Sequence, residues 1–230
     1  MNGGRTRLTR ERVLGAALRI VDEEGLAGLS MRRVADELGV EPMALYRYTP
    51  SKDDLLDGLV ETIFIELEES LARAAAVGDT TVTATERREA LKVIALAMYR
   101  VALAHPHVVP LVATRPLTVP LTRRPLSVLR CHERLLAILR ASGLSDADAL
   151  TLYRAFVSWV LGYVVVELRE VIDDPDEPDP AFRLGLHRLP ARDFPNLRAL
   201  GPALAVRGGE AQLTAGVDAL LERLTPGDQR

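Results

Sequence analysis

The chain has 230 residues, 48% hydrophobic content and a formal net charge of −3. That is enough apolar material for a full core, and the balance excludes both a disordered chain and one coated in positive charge for unspecific nucleic-acid binding. The single cysteine, Cys131, excludes an internal disulfide and fits a reducing compartment. The opening MNGGRTRLTRER lacks the apolar stretch of a signal peptide, and the longest strongly apolar run, around 155–166, falls short of the roughly 18 residues that a membrane span needs. The expectation is a soluble cytoplasmic protein with no membrane partner.

In chain order, Thr9 suits the cap of a helix to about residue 24, with Val13, Leu14, Ala17, Leu18 and Val21 inward and Gly25 as its stop. Arg5, Arg7, Arg10, Arg12 and Arg19 accompany it against Glu11 alone, a basic arm that suits either a confined DNA contact or a solvated tail. Ser30 caps a second helix over 31–38, with Val34, Ala35 and Leu38 on one face. Gly39 supplies a left-handed turn, Pro42 suits the first turn of a further helix, and a helix of about two turns is expected over 43–48. Helix, glycine turn and short helix make the helix-turn-helix outline, whose second member is sized for the major groove of DNA.

Ser51 with Asp54 opens a long helix whose stripe of Leu56, Leu59, Val60, Ile63, Phe64, Leu67 and Leu71 makes it a connecting rod. A polar break over 78–85 precedes a helix over 86–104 with Leu91, Ile94, Ala95, Met98 and Val101 inward. Prolines at 106, 110, 116, 120 and 125 then permit only short helical turns, so a partly irregular wall is expected rather than a long helix. Regular structure resumes over 126–142, closed by Gly143. Ser145 caps the longest candidate helix, to about residue 171, which is apolar all round between Leu152 and Val166 and needs cover from this chain or a second copy. An acidic loop over 173–180, irregular to about residue 195, leads to a closing helix over about 210–224 with Leu213, Val217, Leu220 and Leu224 as a narrow seam. No segment of useful length has strand periodicity. The expected fold class is all-α, with an N-terminal three-helix helix-turn-helix domain over 1–55 and a larger C-terminal helical ligand-binding and dimerisation domain over 56–230.

GVEPMALYRYTPSKDDLL, with Leu45, Tyr46, Lys52, Leu55 and Leu56 after an upstream SMRRVA, resembles the recognition region of the tetracycline-repressor family over about residues 9–60. Leu111 to Pro116 further resembles the tetracycline-binding branch in its Thr-Arg-Pro ending. The resemblance implies a homodimeric transcriptional regulator, a repressor released from a palindromic double-stranded DNA operator by a small-molecule effector. It implies DNA-facing positions for Arg32, Met43, Ala44, Tyr46, Tyr48 and Lys52, with Leu45 in the core. Arg47 joins them on the residues themselves, because two phenols and a guanidinium on a short helix beside polar turns can meet phosphates or base edges, although a structural role for one tyrosine stays open. Pro42 departs from the polar residue of the tetracycline repressors, so the operator does not follow from theirs.

The helices expected over 145–171 and 210–224 would form a four-helix dimer interface with their symmetry mates, as the resemblance also implies. Candidate effector-lining residues are Phe64, Met98, His105, Thr114, His132, Phe156, Trp159 and Tyr163, with core or interface packing the alternative for the last three. His105, His107 and His132 lack the CxxC or HExxH context of a metal site. Leu111 stands where the tetracycline repressors carry a metal-coordinating histidine, so a mostly apolar organic effector bound without magnesium is expected. No cofactor, metal or catalytic residue is expected, since phosphate loops and a GxSxG elbow are absent. The contrasting readings are a ligand-free architectural DNA-binding protein and an enzyme of unrecognised type.

Overall fold

The N-terminal helices follow their capping signals closely. In the computed structural model, which describes residues 7–74, 83–118, 120–168, 178, 182 and 185–224, every regular element among the described residues is helical. Helix α1, Arg10–Gly28, starts where the Thr9 hydroxyl accepts from the Arg12 N–H, and it breaks at Gly25, whose φ of 74° and ψ of 175° leave one further turn. Its buried face adds Ala16 and Ile20 to the expected set, while Leu18 is only half-buried. Helix α2, Met31–Leu38, is capped by Ser30 and ends on Gly39 at φ 65°, whose N–H returns to the carbonyls of Ala35 and Asp36.

Helix α3, Pro42–Leu45, is a single turn and not the two-turn helix expected over 43–48. Beyond it the chain winds on as a turn in which the Tyr48 and Thr49 N–H groups both donate to the Leu45 carbonyl, at 2.8 and 3.0 Å. Pro50 gives the reason, because a residue before proline is pushed out of the helical region. Ser51 then accepts from the Asp54 N–H at 3.0 Å and opens α4, Lys52–Ala74, which buries Leu55, Leu59, Val60, Ile63, Phe64, Leu67 and Leu71. Gly58 lets α1 approach closely: a Cβ there would lie 2.3 Å from the Leu14 side chain.

Helix α5, Ala84–Ala104, begins two residues before its expected start, because Thr83 and Glu86 form a reciprocal capping box. Its expected inward residues, Leu91, Ile94, Ala95, Met98 and Val101, are all buried. A 3-10 turn at Pro106–Val108 leads into α6, Val109–Thr118, a ten-residue helix where short turns alone were expected. Pro110 occupies the first helical turn, where no N–H partner is required, and the helix runs on through Pro116 to its end two residues later. Helices α7, Leu126–Ala141, and α8, Asp146–Glu167, follow, with Ser145 capping the second.

By length and composition alone α8 could cross a membrane. It packs instead on α5, α6, α7 and the closing helix, burying Ala149, Leu152, Phe156, Val160 and Val164 along one face. Its expected last residues and most of the acidic 173–180 loop lie outside the described residues. Helix α9, Pro195–Leu204, was not anticipated; Leu197, Leu200 and Leu204 on it are exposed. The closing helix α10, Gly209–Leu224, corrects the expected seam. Leu213, Val217 and Leu221 are its buried residues, seated on α5 and α8 of the same chain, with Leu220 only half-buried. The apolar stripe therefore completes the core of this subunit, and a second copy would have to meet another face.

Candidate DNA interface and enclosed cavity

One end of the molecule gathers exposed cationic and aromatic side chains around α3. Leu45 and Thr49 are fully buried and fix the short helix to the core, while Met43 is 76% exposed and Tyr46 43% exposed. Arg32, Arg47 and Lys52 are exposed beside them; Ala44 is half-buried, and Tyr48 packs partly on the core. The basic arm is less available than its composition suggests. Arg10 pairs with Glu61 at 2.6 Å and Arg19 with Glu37 at 3.5 Å, while Arg33 ties Glu24 to Glu37 at 2.7 and 3.3 Å. These pairs lock α1, α2 and α4 together, and Arg5 lies outside the described residues.

The second feature is a half-open cavity of about 250 Å³ between α4, α5, α6, α7 and α8, with the exposed Arg154 and Ser158 at its mouth. Of the expected effector-lining residues, the structure brings Phe64, Met98, His132 and Phe156 together on it, joined by Val112, Ala113, Leu135, Val157 and Leu161. It places the other four elsewhere. Trp159 lies against α10, with its Nε1–H donating to the Leu213 carbonyl at 3.3 Å and its ring filling the space over Gly216, where a Cβ would come within 2.0 Å. Tyr163 donates to the Gly209 carbonyl at 2.7 Å beside Tyr99, and burial, with the nearby Glu167 charge, pushes its phenol up to about 12. The exposed Thr114 returns its hydroxyl to the Pro110 carbonyl at 2.7 Å. His105 is a tie between helices: Nδ1 lies 2.9 Å from Asp22 of α1 and Nε2 3.0 Å from Glu66 of α4.

Sequence reasoning missed Tyr153, Arg124, Arg154 and Cys131 on the cavity wall. Tyr153 was within reach of it, standing three residues before Phe156 on the same helix flank; Arg124, in the proline-rich connection, carried no such signal. Tyr153 Oη meets His132 Nδ1 at 2.9 Å, with the two rings edge to face. Burial chiefly, and then the charge of Arg124, holds the His132 imidazole below its ordinary value of 6.5. Burial pushes the Cys131 thiol up to about 11, with Glu68 adding to it, so this cysteine is a poor nucleophile.

The His132 shift has a sign that can be checked. The folded protein binds this proton less readily than the unfolded chain, so the stability linked to neutral His132 is fully present above pH 6.5 and is lost as the pH falls through the depressed folded value. Urea midpoints at pH 7.5 and 5.5 should therefore differ more for the natural protein than for His132→Gln. An equal drop in both would remove His132 as a source of the pH dependence.

A second polar tie joins the cavity wall to the DNA-facing end. Arg115 of α6, two residues beyond the lining Ala113, donates through Nε to Asp57 and through Nη2 to the Asp53 carbonyl at 2.8 Å and carboxylate at 3.2 Å, all on the first turns of α4. His107 adds a hydrogen bond from Nδ1 to the Val21 carbonyl of α1 at 3.0 Å.

A helix-turn-helix unit carried by one long helix into a larger helical body with a half-open apolar cavity is the architecture of DNA-binding transcriptional regulators. Residues 13–59 match the model of the bacterial regulatory proteins of the tetR family, and residues 83–224 match the tetracyclin repressor-like C-terminal domain. The chain belongs to the TetR family. It is 36% identical over 163 residues to the HTH-type transcriptional repressor DrrR1 of Streptomyces coeruleorubidus, covering 71% of this chain and 53% of that one, so it spans about half the length of this relative. It is 29% identical over 216 residues to the class D tetracycline repressor protein of Escherichia coli, covering 91% of this chain and 92% of that protein. Among solved structures, the TetR family protein ActR of Streptomyces coelicolor in complex with actinorhodin superposes with a TM-score of 0.71 at 26% identity, covering 95% of this chain and 97% of that one.

Proposed function

We propose that this protein is a homodimeric repressor that holds a palindromic operator and is released from it by a small, largely apolar organic molecule entering the α4–α8 cavity. The observation that carries this reading is the pair of polar ties at the two ends of the cavity wall. Arg115 links α6 to the start of α4, and His105 links the end of α5 to both α1 and α4. A ligand that displaces Val112 or Ala113 therefore pulls on the helices that carry the DNA-facing residues. Reversing a 99:1 preference for the DNA-binding arrangement requires a differential affinity of about 5.5 kcal/mol, within reach of an apolar cavity with a few polar anchors. ActR, named in complex with actinorhodin, and DrrR1, named a repressor, support the same reading.

In this account the DNA-reading unit occupies residues 1–55 and the remainder, 56–230, binds ligand and dimerises, with the joint inside α4. Arg32, Met43, Ala44, Tyr46, Arg47, Tyr48 and Lys52 meet the operator; Phe64, Met98, His132 and Phe156, with Tyr153, meet the effector. Leu111 has no lone pair for a cation, so effector binding is independent of magnesium. The dimer forms through α8 and α10 along exposed small residues, Ser158 and Gly162 on one and Ala211, Ala215 and Ala219 on the other, which permit close helix approach.

Footprinting on the DNA flanking its own gene, with and without candidate ligands, tests the reading as a whole. Within that assay, Tyr46→Ala and Lys52→Ala should each weaken binding with the dimer still folded, and the salt slope should shrink by about one unit for Lys52→Ala. Unchanged affinity and slope would remove both residues from the interface.

A further inference from the structure

Helix α3 presents an apolar tip inside a cationic surface. Its first three residues, Pro42, Met43 and Ala44, carry no side-chain hydrogen-bond donor, and Met43 is 76% exposed, more than any other large apolar side chain among the described residues. Leu45 and Thr49, both fully buried, fix this turn to the core. A residue two before Leu45 stands about 200° round the helix from it, so Met43 points away from the protein. Scattered exposed apolar residues are ordinary on a protein surface, and this one is distinguished by its neighbours. Arg32, Arg47 and Lys52 are exposed at the same end, and unlike Arg10, Arg19 and Arg33 none of the three is in an ion pair among the described residues. Cations without a partner suit phosphates and hold the surface on a duplex, but a thioether gains little from a phosphate or from the donors and acceptors of a base edge. The apolar group that base edges present in the major groove is the C5-methyl of thymine.

Resting on the reading of α3 as the helix that enters the major groove, we propose that Met43 is a base-specificity residue that reads the 5-methyl group of one thymine in each operator half-site. Its unbranched, polarisable side chain packs on the methyl, and both lose their contact with water. Tyr46 and Arg47, three and four residues further on and therefore on the same side of the turn, meet phosphates and polar base edges. Because cytosine lacks that methyl, the contact selects thymine over cytosine without a hydrogen bond. The operator must then hold a thymine at one symmetric position of both half-sites.

The test compares thymidine with deoxyuridine, which pairs identically with adenine and lacks only the methyl. An operator obtained by in vitro selection with the full-length protein is resynthesised with deoxyuridine replacing each thymidine in turn, symmetrically in both half-sites, and titrated at one salt concentration. At one position the natural protein should lose about fourfold in affinity per half-site, or about 15-fold for the pair, as for one buried methyl on each side. Met43→Ala should bind the thymidine and deoxyuridine forms of that operator within about twofold of each other, whereas Met43→Leu, which keeps an apolar reach, should retain most of the preference. A natural protein indifferent to deoxyuridine at every position would overturn the inference, as would a preference that survives undiminished in Met43→Ala, and either result leaves the DNA-binding reading standing. Failure of the selection to yield any bound sequence would overturn that reading, and the inference with it.

Discussion

Ala219→Glu, on the exposed side of α10, is expected to turn a micromolar dimer into a monomer and to lower operator affinity by about 10²–10⁴-fold. Two recognition units joined in one dimer bind the second half-site at a high effective concentration, and that advantage disappears with the interface. The position matters. Leu213, Val217 and Leu221 close the core of their own subunit, so a charge beside them would test folding, whereas Ala219 is exposed and stands away from that buried row. A glutamate in a close helix–helix contact would be stripped of water without a partner, which is costly. Sedimentation and footprinting on the same sample check the result, and an Ala219→Glu protein that stays dimeric with full affinity would move the interface elsewhere on the surface.

The second large effect is expected at Arg115. Arg115→Ala removes the bonds to Asp57 and Asp53 that tie α6 to the first turns of α4, yet Arg115 is not among the residues lining the cavity. Ligand affinity should change by only a few fold, while the ligand-induced loss of operator affinity should diminish by about 1–3 kcal/mol, the usual size of a coupling between sites. Asp57→Asn should reproduce part of the effect, since it keeps the shape and removes the charge. A variant that binds ligand and releases DNA as the natural protein does would mean that the wall communicates by another route.

The parts of this fold that were legible in the sequence are those set by short-range physics. Thr9, Ser30 and Ser145 mark helix starts because each hydroxyl satisfies an N–H within the same turn, and Gly39 and Gly143 mark ends because both adopt positive φ. Proline was misjudged in both directions: Pro110 is accommodated in the first turn of α6, while Pro50 shortens α3 from a distance. Apolar spacing on the closing helix told which face is buried but not what buries it, since one stripe suits the subunit's own α8 as well as a second copy. The cavity divides in the same way. Phe156, Trp159 and Tyr163 share one flank of α8 as their spacing requires, yet only Phe156 reaches the cavity, because α10 takes the other two. The ties from Arg115 to Asp57 and from His105 to Asp22 join residues far apart in the chain, and no local pattern announces them.

If DNA and ligand select different arrangements of this one molecule, linkage requires that each weaken the other by the same factor. The most direct measurement is the ligand's dissociation constant for the free protein and for the protein saturated with an operator chosen by in vitro selection, using an apolar organic ligand found by thermal-shift screening of the full-length protein. The account predicts markedly weaker ligand binding to the operator complex, approaching about 10⁴-fold for an effector able to drive release to completion, with an equal loss of operator affinity in the ligand-saturated protein. The same ligand dissociation constant in the presence and absence of operator would contradict it.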